Sequence, residues 1–215
     1  MSNNETPSDD ECLREVVNKD VVQLIEHLRC SHAPQEVFGE ATQHIQKAIE
    51  LLQPWLKEGK GWSTVTLADE YAGIPWDEED IAAVMPYSPV SGKHNPVAPS
   101  IVMRRDGDEL RGEVVFSPTY AGPPDSVHGG IIAAVFDEIL AMANVITGES
   151  GFTGTLNIKY HRPTPLNTPI ELWGATVRRK GRKTVARGEM RVDGEVTASA
   201  EGLFIMVTEK DEEAS

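Results

Sequence analysis

The run from Ile131 to Ile146 is apolar on every side of a helical wheel except at Asp137, Glu138 and Asn144, and it opens on His128-Gly129-Gly130. A helix with no polar face has to be enclosed by protein, so the rest of the chain must supply a shell around it. An ionised carboxylate in such a place is costly unless it is hydrogen-bonded, reaches a cavity or shifts its pKa. Asp137 is therefore the leading candidate functional residue.

The shell is legible on both sides of this helix. Ile101 to Arg105 and Glu109 to Phe116 read as strands joined through Asp106-Gly107-Asp108, a hairpin signal. Beyond the helix come strand-like runs at Thr153 to His161, Ile170 to Arg179, Lys183 to Val192 and Val196 to Val207, with turns at Pro163-Thr164-Pro165, Gly181 and Asp193-Gly194. The last two turns are short enough to make antiparallel pairs. One helix between two early strands and four later ones predicts an α+β domain, with a curved antiparallel sheet wrapped around a single central helix. Ahead of it, Val17, Val21, Ile25 and Leu28, then Ala41, Ile45, Ala48, Ile49, Leu52 and Leu56, recur at helical spacing. These two amphipathic helices are expected to pack over the main domain or a partner subunit. The stretch from Gly59 through Pro99, rich in proline and acid, reads as linker and loop. The predicted division is residues 1–98 as N-terminal helical extension and linker, 99–208 as the domain proper, and 209–215 as an acidic tail.

Charge and composition exclude several function classes. A formal charge of −14 over 215 residues argues against a nucleic-acid-binding surface, even with the local basic run Arg178-Arg179-Lys180-Gly181-Arg182-Lys183. Cys12 and Cys30 give no disulfide framework, which suits a reducing compartment and makes a cytoplasmic location the expectation. The acidic N-terminus lacks a secretory pattern, and the greasy helix is too short and carries too much acid to span a membrane. The chain has no G-x-S-x-G elbow, Walker loop, dinucleotide fingerprint or H-E-x-x-H site, and its six histidines lack ligand spacing. No metal or redox cofactor is expected.

Four features together carry a resemblance: the run HGGIIAAVFDE, the spacing of nine from His128 to Asp137, the further sixteen to Thr153, and the following TLNIKYHRPTPL. They resemble the hotdog-fold acyl-CoA thioesterases, in particular the phenylacetate-pathway type and the human thioesterase superfamily members with an N-terminal extension. The likeness covers about half the chain, from Ser100 to Val207. It implies the hotdog fold, an acyl-CoA thioester as substrate, coenzyme A as part of that substrate, and a homodimer or homotetramer with the site at a subunit interface. It also implies that Asp137 acts at the thioester carbon, as general base or by direct attack, with the Thr153 hydroxyl beside it and His128 beside the oxyanion. Lys159, His161, Arg182 and Lys183 fall where related enzymes contact coenzyme A. Some family members carry an asparagine six residues before the histidine, where this chain has Gly122.

The residues have a physical reading of their own. Gly129 and Gly130, opening a helix, would present unpaired first-turn amides to a developing oxyanion. Asp137 lies about two and a half turns beyond His128, too far for an intrahelical bond, so its partner must come from elsewhere. Glu138 points about a quarter turn away and reads as a structural acid. His128 reads as a positioning residue and helix cap. Strict strand alternation predicts Leu156, Ile158 and Tyr160 on one face, and Thr153, Thr155, Asn157, Lys159 and His161 on the other. Two other functions stay open: a non-catalytic acyl-CoA-binding protein, and a hotdog hydratase or dehydratase. Release of free thiol separates them from a thioesterase.

Overall fold

The computed structural model describes residues 9–56, 85–149 and 151–206. Helices α1 (Asp9–Cys30) and α2 (Gln35–Leu52) come first, and Pro54 in a short 3-10 turn (Gln53–Trp55) ends the second. Then follow β1 (Val102–Asp106), β2 (Glu109–Val115), α3 (Gly129–Val145), β3 (Phe152–Tyr160), β4 (Pro169–Lys180), β5 (Lys183–Val192) and β6 (Glu195–Ile205). The tail, and the linker residues 57–84, lie outside the described residues.

The six strands form one antiparallel sheet in the order β1-β2-β4-β5-β6-β3, which leaves β1 and β3 as edges. Helix α3 lies against β2, β3, β4, β5 and β6, the α+β arrangement expected of a hotdog-like fold. Its close seat depends on two glycines paired across β4 and β5, Gly174 and Gly188. A Cβ on Gly174 would come within 3.2 Å of the Ile139 carbonyl oxygen, and one on Gly188 within 3.0 Å of Leu140 Cδ2. Phe136, Ile139, Leu140 and Met142 of α3 then fill the core with Met103, Leu110, Phe116, Ile170, Met190 and Phe204.

The shell around α3 is nearly complete. From Ile131 to Val145 no residue is exposed, but Ile131, Ala133, Ala134, Asp137, Glu138, Ala141 and Val145 are only half-buried. They share one helical face, three and four residues apart, so this face is the less covered one.

The segment 85–98 is loop, as expected, yet it packs onto the domain. Met85 joins the core, and Ser88 and Ser91 are buried with their hydroxyls on Glu138 Oε1, the former at 2.7 Å. Helix α1 packs against the 3-10 turn Pro118–Tyr120, and its Asn18 amide donates to the Lys93 carbonyl at 2.6 Å. Its inner face is Val21, Val22 and Ile25, whereas Val17 and Leu28 of the expected stripe are about half exposed. Helix α2 buries none of its residues. Among the described residues no helix is long and apolar enough to cross a membrane.

Candidate active site on the central helix

Helix α3 begins where the sequence predicts, and His128 is its N-cap. The imidazole Nδ1 accepts the Gly130 N–H at 3.0 Å, satisfying one of the first-turn amides. The His128 N–H donates to the Tyr120 carbonyl at 2.9 Å, so the cap is tied to the turn on which α1 rests. Of the two glycine amides expected to face an oxyanion, that of Gly130 is thus engaged by His128. Gly129 N–H has no acceptor among the described residues. The loop before the helix runs against this cap: a Cβ on Gly122 would lie 2.7 Å from the His128 Cα. No asparagine fits there without moving the backbone, so the missing family asparagine is a steric consequence of how this loop closes.

Asp137 lies about two and a half turns beyond this cap, on the half-open face. Its partner is Thr153, whose hydroxyl donates to Asp137 Oδ1 at 2.7 Å. The second carboxylate oxygen receives no hydrogen bond from the described residues. Glu138 points elsewhere, onto the two buried serines of the 85–98 loop, and so is separated from Asp137 in role as well as direction.

The position of Thr153 corrects the alternation expected of this strand. Thr153 and Tyr160 are seven residues apart, which in a regular strand puts them on opposite faces. Both reach α3: Thr153 bonds Asp137, and the Tyr160 hydroxyl donates to the Gly129 carbonyl at 2.9 Å. The cause is a bulge. Thr153 pairs with Phe204 and Thr155 with Leu203, so Gly154 is an extra residue with no partner of its own. It reverses the phase of everything before it and turns Thr153 towards the helix. An isolated glycine in a strand pattern signals such a bulge, and Thr153-Gly154-Thr155 carries that signal. Tyr160, read from the sequence as packing only, had no comparable signal for its hydroxyl.

The four residues expected at coenzyme A do not form one cluster. Lys159 and His161 lie on the outer sheet face, His161 Nε2 within 2.8 Å of Ser199 Oγ, and Lys159 at a hollow of about 670 Å³ with Trp173 and Arg187. Arg182 and Lys183 sit at the β4–β5 hairpin, where Arg182 Nε donates to the Met206 carbonyl at 3.0 Å. Lys159 pairs with Ser199 and Lys183 with Ile205, six positions apart along β6 or about 20 Å. Within one chain the two pairs therefore mark different places. The basic run is also partly structural, since Arg179 pairs with the buried carboxylate of Glu149 just beyond α3. Among the described residues no group of histidine, cysteine and carboxylate side chains could hold a metal ion.

Comparison with known proteins bears on the family of this chain. A family model described as the thioesterase superfamily matches residues 125–199, from the loop before α3 into β6. The bovine (Bos taurus) acyl-coenzyme A thioesterase THEM4 is 32% identical over 108 residues, which is 48% of this chain and 44% of that protein. The chain thus matches under half the length of this curated relative. A putative thioesterase related to phenylacetic acid degradation, from Ralstonia eutropha, is 25% identical over 49% of this chain and 84% of that one, with a TM-score of 0.46. A crystal structure of a thioesterase superfamily protein is 30% identical, covers 89% of this chain and 94% of its own, and superposes with a TM-score of 0.72. That likeness spans most of the chain, and with the family model it establishes that the chain belongs to the hotdog-fold thioesterase superfamily.

Proposed function

We propose that this protein hydrolyses an acyl-CoA thioester to the free acid and coenzyme A, with Asp137 as the catalytic carboxylate. The observation that carries the reading is the bond from Thr153 to Asp137 Oδ1, which orients the carboxylate and leaves Oδ2 without a protein donor. Water held by Oδ2 gives up a proton to it while its oxygen attacks the thioester carbon. The carbonyl oxygen becomes an oxyanion, received by the Gly129 N–H at the positive end of the α3 dipole. Collapse re-forms the carbonyl, breaks the C–S bond and releases the thiolate, which takes the proton back. Direct attack by Asp137 would give an acyl-enzyme anhydride that water then opens. Both routes need the same carboxylate.

Coenzyme A is substrate in this scheme, and no further cofactor is invoked. The half-open face of α3 borders β3, an edge strand on which Phe152 and Tyr160 are 58% and 54% exposed. Neither of two surface hollows, about 520 and 670 Å³, is lined by Asp137. A second copy set against β3 would complete an enclosed site, so the functional unit we propose is a homodimer or a larger even assembly. It would also bring a second set of Lys159, His161, Arg182 and Lys183 to the coenzyme A portion.

The test is thiol release from a panel of acyl-CoA esters, run on the native protein and on Asp137→Asn. A loss of roughly two or more orders of magnitude in turnover, with the fold and coenzyme A binding retained, is expected. Unchanged turnover would move the chemistry to another group. Coenzyme A binding without thiol release from any ester would favour a binding protein, and a change in enoyl absorbance without thiol release would favour a hydratase.

A further inference from the structure

Tyr160 is half exposed at the end of an edge strand, yet its hydroxyl is directed onto the backbone of the candidate site. The Gly129 carbonyl that accepts it belongs to the same trans peptide group as the Gly130 N–H, and the two point opposite ways. That N–H donates to His128 Nδ1. The three groups therefore make one chain: phenol to carbonyl at 2.9 Å, through the peptide, and N–H to imidazole at 3.0 Å. A donor on the carbonyl polarises the amide and strengthens its N–H as a donor in turn. An imidazole whose Nδ1 accepts a hydrogen bond carries its neutral-form proton on Nε2.

We propose that Tyr160 is a positioning residue for the oxyanion end of the site. Its hydroxyl fixes the Gly129–Gly130 peptide, and the peptide fixes His128 in the Nε2–H form, so that the ring offers a donor and not a base. Holding this peptide also fixes the first turn of α3, where the Gly129 N–H has no acceptor among the described residues. The arrangement gives the two hydrogen bonds from β3 to α3 separate parts: Thr153 orders the carboxylate and Tyr160 orders the donors. The catalytic consequence, though not the hydrogen-bond chain itself, rests on the thioesterase reading above.

The experiment compares Tyr160→Phe and Tyr160→Leu with the native protein, by 15N spectroscopy of the histidine rings and by steady-state thiol release. In the native protein neutral His128 should show its proton on Nε2. In Tyr160→Phe the proton should redistribute towards Nδ1, and kcat should fall about fivefold with KM held, while the unfolding midpoint drops by no more than the worth of one net hydrogen bond. A purely structural role for the side chain would lower the midpoint and leave the His128 signals alone. His128 signals unchanged in Tyr160→Phe overturn the proposal, whatever turnover does. So does an effect confined to Tyr160→Leu, which would make ring packing the whole contribution. If the native protein releases no thiol from any ester while Tyr160→Phe still shifts the His128 signals, the chain of bonds is upheld and the thioesterase reading fails.

Discussion

Two adjacent carboxylates on α3 do different work because a helix turns by about 100° per residue. Asp137 looks over the half-open face towards Thr153, while Glu138 looks into the loop 85–98 and accepts from Ser88 and Ser91, both 3% exposed. Ser88 is held further by accepting the N–H groups of Val90 and Ser91, so its hydroxyl is the centre of the loop. Removing the Glu138 carboxylate leaves two buried hydroxyls without their acceptor, a loss of about 2 kcal/mol for bonds to a charged group. Glu138→Ala should therefore lower the urea midpoint clearly while leaving catalysis near native at temperatures where it stays folded. Asp137→Asn should do the opposite, with turnover lost and the midpoint nearly held. A Glu138→Ala protein of native stability would show that the serines find other partners. Turnover abolished in that variant, with the fold intact, would put Glu138 in the chemistry.

At the scale of elements, what the sequence made legible follows from period. The apolar run of α3 and the glycine turns bounding β4, β5 and β6 fix those elements within a residue or two, because each carries its own local signal. The direction of Thr153 was not legible from period, since a bulge is a break in period. Gly154 carries a local hint, but the extra residue is established only by its pairing against β6. Neither could the sequence reveal that Ser88 and Ser91 seat on Glu138, since a contact across about fifty residues of chain leaves no local pattern. The bulge makes a prediction. Deleting Gly154 restores strict alternation and swings Thr153 to the outer face, so its turnover should fall to that of Thr153→Ala, roughly tenfold or more below native. Gly154→Ala is the control: its Cβ would meet Ile205 Cδ1 at 3.1 Å, the movable end of a side chain, and turnover should stay close to native. Native turnover in the deletion variant would mean that Asp137 does not depend on Thr153.

For the molecule as a whole, the N-terminal extension and the site meet at Tyr120. Its ring packs edge-on to the core Phe116, its hydroxyl donates to the Val97 carbonyl at 3.2 Å, and its own carbonyl accepts the His128 N–H. Helix α1 supplies the neighbour Glu26. Burial first, and the Glu26 charge second, push the Tyr120 phenol up to about 12 from its ordinary 10.0. The protonated, neutral phenol is therefore favoured by the fold. The folded state holds this proton more tightly than the unfolded chain, so its contribution is full below about pH 10 and is lost as pH rises towards 12. Tyr120→Phe removes the titrating group and keeps the ring. Urea midpoints measured between pH 8 and about pH 11 should fall more steeply for the native protein than for Tyr120→Phe, the other titrating groups being common to both. Because Tyr120 joins α1, the 85–98 loop and the His128 cap, the alkaline loss should appear first as release of α1 from the turn Pro118–Tyr120, with the sheet still paired. Hydrogen exchange at the His128 amide reads that step directly: its protection should drop over the same pH window in the native protein and stay level, after correction for the intrinsic rate, in Tyr120→Phe. Parallel loss of protection in both proteins would place the alkaline opening elsewhere and separate the extension from the site.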